Sequence, residues 1–167
     1  PGDMDESNTG ADAGSDLDLH LAHPWANQPD ADGDGKPDPW FDSVFDCFWF
    51  NSSPNWGSFV LEEDDPKLTL DDTDGRGPEI VVMPSGESAE YRIGVHYWND
   101  HGYGPAFATV RVFVFSQLAF EVVDVMLLDG HMWEVATVNW PTAKITLVTT
   151  AGGGLKITPN YVNALGL

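Results

Sequence analysis

Apolar and polar residues alternate with a period of two over several stretches of this chain. In DLDLHL, Leu17, Leu19 and Leu21 fall on one face of an extended segment, with Asp16, Asp18 and His20 on the other. In YRIGVHYW, Tyr91, Ile93, Val95 and Tyr97 alternate with Arg92, Gly94, His96 and Trp98. In TVRVFVF, Val110, Val112 and Val114 alternate with Arg111, Phe113 and Phe115. Residues 48–51, 68–71, 79–83, 120–128, 133–140, 144–149 and 155–158 are further strand candidates. Turn signals separate them: Asp74-Gly75, Pro84-Ser85-Gly86, Asp100-His101-Gly102, Asp129-Gly130 and Gly152-Gly153-Gly154. No stretch keeps a helical period with caps. About nine or ten short strands between Gly and Pro loops predict an all-β protein. The expected form is an antiparallel β-sandwich, jelly-roll-like, with long Gly/Asp-rich loops.

Residues 1–14 read as an acidic tail or linker, 15–141 as the β domain, and 142–167 as a C-terminal β extension. The extension is expected to be a final hairpin or a strand offered to another copy of the chain. At 167 residues the chain is long enough to bury a core. No apolar run reaches the roughly 18 residues of a transmembrane helix, and the sequence shows no leader peptide. The single cysteine, Cys47, lies in an aromatic run and reads as a buried thiol; one cysteine excludes an intrachain disulfide.

Charge changes the picture. Asp and Glu number 27 against 7 Lys and Arg, a formal net charge of −20. Such a chain repels itself, and it has little with which to neutralise phosphates, which excludes nucleic acid as a partner. The acids gather in Gly-rich loops, where carboxylates can turn inward around a hard cation.

Two constellations stand out. Asp30, Asp32, Asp34 and Asp38 occupy relative positions 1, 3, 5 and 9 of a Gly-containing loop. Lys36 stands where a backbone carbonyl would ligate, and Asp42 is a candidate late carboxylate. Phe41 at position 12 and the prolines at 29, 37 and 39 rule out an EF-hand. The second constellation is distributed. Asp16 and Asp18 emerge on one strand face about 7 Å apart, and Asp71, Asp72, Asp74 and Glu79 surround a distant Gly-rich turn. Two calcium sites are expected, of an affinity that extracellular calcium would fill.

The segments DLDLHLAHP, DDTDGRGPE, AEYRIGVHYWNDHGYGPAFATVRVFV and WEVATVNWP together resemble the YfaP-type family of secreted bacterial β-sandwich domains of unknown function. The versions it looks most like occur in lipoproteins and surface proteins of myxobacteria-like organisms. The resemblance covers roughly residues 15–141. It implies a jelly-roll-like sandwich and a place outside the cytoplasm, and it carries no catalytic residues. Asp16, Asp18, Asp72, Asp74 and Glu79 match the family's acidic motifs; the lipobox cysteine is missing, and 26 further residues follow Pro141.

Other chemistry is weaker. His20, His23, His96, His101 and His131 have no zinc-motif spacing, and no GxSxG occurs. Trp25, Trp40, Trp56, Trp98 and Tyr103 are candidates for stacking on sugars. The expected function is a non-catalytic, calcium-binding module of the cell surface or exterior, used in adhesion, in a larger surface protein, or as a polymer subunit. A calcium-dependent carbohydrate-binding module is the alternative, and a glycoside hydrolase with paired carboxylates is a distant third. The partners expected are calcium, glycans, and copies of the chain joined through terminal strands.

Overall fold

A computed structural model describes residues 14–73 and 77–162. Among these residues the chain is all-β and antiparallel, with ten strands and no helix. The strands are β1 (Asp16–Ala22), β2 (Asp46–Cys47), β3 (Lys67–Leu70), β4 (Ile80–Val82) and β5 (Glu90–Asn99). They continue with β6 (Ala106–Val114), β7 (Gln117–Leu127), β8 (Met132–Asn139), β9 (Lys144–Leu147) and β10 (Lys156–Thr158).

The main sheet runs β10-β8-β5-β1-β2, with β9 also on β8. β9 pairs with Ala136–Asn139 and β10 with Met132–Glu134. Because β5 takes the opposite edge of β8, β9 and β10 lie end to end along one edge. Residues 144–158 therefore extend the edge of the chain's own sheet as one interrupted strand against β8, with β9 and β10 following one another along that edge instead of pairing as a hairpin. β3–β4 and β6–β7 form separate two-stranded ribbons.

The two faces of β1 have different fates. Leu17, Leu19 and Leu21 turn towards a core built from Ile93, Val95, Tyr97, Trp133 and Val135, onto which Ala106, Ala108, Val110, Val125 and Leu127 of the β6–β7 ribbon pack. The layer facing the sheet is thus a long hairpin. Its inward residues are buried, while Phe107, Phe113 and Met126 point outward and are exposed.

Asp16, Asp18, His20 and Ala22 turn to the opposite face and are buried there. The cover is the long connection after β1, which contributes Trp40, Phe41 and Phe48. Each such aromatic taken fully out of water stabilises the fold by about 1.5–3 kcal/mol. Gly94 makes the approach possible: a Cβ there would lie 2.8 Å from the Trp40 ring and 2.5 Å from the Met132 methyl. A third cluster joins Cys47, Trp56, Leu68 and Tyr91, and Cys47 is a buried free thiol, as its aromatic surroundings predict.

Two local readings need correction. Residues 48–51 form a tight turn closed by a Phe48↔Asn51 bridge, with the short strand just before it. Phe115, read as a strand residue, forms with Ser116 the turn between β6 and β7; both have positive φ (48° and 63°), the twist a two-residue hairpin loop requires.

Candidate metal centre

The strand alternation that buries Leu17, Leu19 and Leu21 carries Asp16 and Asp18 to the covered face of the sheet. Asp18 lies opposite His96 in the β1–β5 register. The turn between β3 and β4 brings Asp71 and Glu79 against the same place, so that oxygens of Asp18, Asp71 and Glu79 lie within 4.8 Å of one another. Glu79 is anchored from β1: its Oε2 accepts the Leu19 N–H. Asp16 and Asp18, with Asp71, Thr73, Trp49 and Trp98, line a hollow of about 190 Å3 beside this group.

These carboxyls are poorly compensated. Asp18 is 3% exposed and Asp16 8%. Asp18 Oδ2, Asp16 Oδ1 and Glu79 Oε1 are buried and accept no hydrogen bond. Among the described residues no lysine or arginine forms an ion pair with any of the four acids. His96 Nδ1 is 3.9 Å from Asp18 Oδ2. Burial pushes the His96 pKa down to about 3, so the ring is neutral at physiological pH and offers no charge.

Burial pushes Asp16 and Asp18 up to about 7, reinforced by the neighbouring acids and opposed by His101 at Asp16 and by His20 at Asp18. Burial together with Asp18 and Asp71 pushes Glu79 up to about 10, against the opposing pull of the Leu19 N–H. Each buried acceptor left without a donor costs roughly 1–3 kcal/mol, and more when charged. The group must therefore hold protons or a cation.

Deeper on the same face, His20 Nδ1 lies 2.7 Å from Asp46 Oδ2, with both side chains fully buried. Asp46 Oδ2 also accepts the Phe41 N–H at 2.7 Å. His20 is packed among Trp40, Phe41 and Phe48. This pair pins the covering connection to β1.

The Asp30 loop is arranged differently. Oxygens of Asp30, Asp32 and Asp38 also lie within 4.8 Å of one another, but Asp30 and Asp38 are engaged by backbone donors, and the buried Asp32 Oδ2, which accepts no hydrogen bond, has a lysine beside it. Asp30 takes N–H groups from Gly33, Asp34 and Gly35, and Asp38 takes those of Ala31 and Asp32. A cation of the chain's own also reaches the loop. Lys156 Nζ lies 2.7 Å from Asp32 Oδ2, 3.3 Å from Asp34 Oδ2 and 2.5 Å from Glu134 Oε1. Although its own burial opposes it, this carboxylate cage raises the Lys156 pKa above the ordinary lysine range.

The remaining sequence candidates fall as follows. Asp34 and Lys36 are exposed and lie outside the Asp30–Asp32–Asp38 group; the Lys36 N–H closes on Asp34 Oδ1. Asp42 is no late loop carboxylate. Its oxygens accept the N–H groups of Asn27, Val44 and Phe45 and the Gln28 amide. Burial works to raise its pKa, but these donors hold it below the usual carboxylate range. Asp72 packs against Gly77, where a Cβ would meet its Oδ2 at 2.2 Å, and it lies outside the group containing Asp71. Asp74 lies outside the described residues.

Trp40 and Trp56 are 1% and 2% exposed and are core residues with no face for a sugar. Tyr103 and Trp25 are exposed, Trp25 beside a second hollow shared with His23 and Glu87. Trp98 does border the acidic group. The companions that sequence reading missed are Trp49, Thr73, His96 and Lys156. The parity of His96 on β5 was visible, but its register against Asp18 was not.

Compared with known proteins, the chain matches no family model, no curated protein and no solved structure.

Proposed function

We propose that this protein is a non-catalytic, calcium-binding β module that works outside the cytoplasm, with Asp18, Asp71 and Glu79 as the principal ligands. The observation that carries this reading is the convergence of oxygens of Asp18, Glu79 and the exposed Asp71 within 4.8 Å, where Asp18 and Glu79 each carry a buried oxygen that accepts no hydrogen bond. All donors are oxygens, the choice of a hard cation, and ligands drawn from a strand and a separate acidic stretch suit calcium better than the stricter octahedron of magnesium. Neutral His96 stands beside the group and outside it, which weighs against a nitrogen-preferring metal.

The Asp30 loop is a secondary, weaker cation site, because Lys156 already supplies positive charge there. A surface or assembly role draws support from the outward Phe107, Phe113 and Phe115 of the β6–β7 ribbon, exposed at 63%, 59% and 82%. The strands β9 and β10 pair with β8 on one side and form an edge of the main sheet.

Thermal unfolding tests the reading. Millimolar calcium is expected to raise the Tm by at least about 5 °C over the same protein in excess EDTA. Identical melts in calcium, magnesium and EDTA would contradict it.

A further inference from the structure

The cation group borders the hollow. Glu79 is tied to the Leu19 N–H and is not part of the hollow's lining, while Asp18 and Asp71 belong both to the cation group and to that lining. Calcium takes six to eight oxygens, roughly, and three carboxylates leave part of that sphere to be filled from the hollow side. Asp16 and Asp18 line the hollow, and each holds a buried carboxylate oxygen without a donor, which distinguishes the hollow from a merely acidic surface.

The walls constrain what that ligand is. Trp49 and Trp98 stand edge to face with ring centroids 5.6 Å apart, and both are partly exposed. They present an aromatic corner next to the open coordination positions. The carboxylates of the site and the net charge of −20 disfavour an anionic ligand. At about 190 Å3 the hollow is smaller than the roughly 300–1,000 Å3 of pockets for larger organic ligands. A neutral molecule with adjacent oxygen donors on one edge and an apolar C–H face meets these conditions.

Resting on the calcium reading, we propose that the ion held by Asp18, Asp71 and Glu79 binds vicinal hydroxyls of a single neutral pyranose ring, whose apolar face packs on Trp49 and Trp98. Thr73, on the same wall, supplies a hydroxyl for the ring's remaining polar edge. The protein would then grip one terminal sugar in a calcium-dependent way.

The experiment uses the full chain loaded with terbium in place of calcium. Emission lifetimes in light and heavy water count the waters on the ion. Methyl α-mannopyranoside, methyl β-galactopyranoside and methyl α-fucopyranoside are added in turn. At least one is expected to remove about two waters saturably, as a diol replaces them. Trp98→Ala should abolish that change while terbium still binds and calcium still raises the Tm. Should that variant fail to fold, Trp98→Phe retains a ring beside Trp49 and is expected to weaken glycoside binding several-fold. Constant hydration with all three glycosides, in a protein that binds terbium and calcium, overturns the sugar proposal and leaves the calcium reading standing. So does a glycoside response that Trp98 substitution leaves unchanged. Failure to bind either ion overturns both.

Discussion

At the scale of single residues, the decisive fact is that Asp18 is buried without the donors a buried carboxylate requires. A surface aspartate keeps its charge through water, whereas Asp18, 3% exposed, cannot. This gives substitution an unusual signature. Asp18→Asn removes a ligand but also a buried charge, so its effect should change sign with the solution. In calcium the variant should lose at least tenfold in affinity and melt lower than the parent. In EDTA it should melt at the same temperature or higher. Calorimetry and paired melts read both arms, and Asp34→Asn, in the Lys156 loop, should leave this affinity unchanged.

The same physics sets the pH dependence. Asp16, Asp18 and Glu79 have folded pKa values raised above their unfolded ones, to about 7, 7 and 10. The folded state therefore binds protons more tightly, and this stabilisation is fully present below the unfolded carboxyl range. It is lost as pH rises through 7 and further towards 10. In EDTA the Tm should fall by at least about 5 °C from pH 5 to pH 8. Calcium, which favours the ionised forms, should reverse or flatten that slope. A chelated protein whose Tm rises over this interval would contradict the account.

At the scale of elements, alternation made the strands legible. The period of two in DLDLHL and YRIGVHYW places Leu17, Leu19, Leu21, Ile93 and Val95 on one face, where Ile93 and Val95 are buried and the three leucines, half-buried, pack against them. What alternation does not carry is register. Nothing local states that Asp18 faces His96, or that Lys156 on β10 lies opposite Glu134 on β8 and reaches Asp32 and Asp34. For the same reason Asp71 and Asp72 were inseparable in sequence. Adjacent residues of a turn point apart, and only the folded turn shows which one reaches Asp18. Aromatic type was a poor guide to exposure, because Trp40 and Trp56 serve to cover the sheet.

Lys156 offers a prediction at this scale. Its ammonium ties β10 to the Asp30 loop and compensates carboxylates that would otherwise repel. Lys156→Met should lower the Tm in EDTA by several degrees. Because a cation can then take the vacated position, calcium should rescue the variant by more than it stabilises the parent. Equal calcium increments in the two proteins would show that the Asp30 loop holds no cation.

At the scale of the whole molecule, a chain with net charge −20 folds by placing most of its acids in loops and a few on the covered face of its main sheet. The apolar face is stabilised by burial against the β6–β7 ribbon. The acidic face is closed by the connection carrying Trp40, Phe41 and Phe48, and the β3–β4 turn contributes the last two carboxylates. A cation bound as proposed would join β1 to that turn across about 60 residues of sequence, the kind of long-range link through which a cation becomes part of folding stability. The all-β architecture was readable from pattern alone. The seam between turn and strand was readable only as two separate acidic runs, since the cation that would join them leaves no mark of its own in sequence.

The most direct measurement is an anomalous-difference map from crystals grown in millimolar calcium. The account predicts a peak about 2.3–2.6 Å from oxygens of Asp18, Asp71 and Glu79, with its open side towards Trp49 and Trp98. A map showing only water there, with the carboxyls hydrogen-bonded to one another, would contradict it.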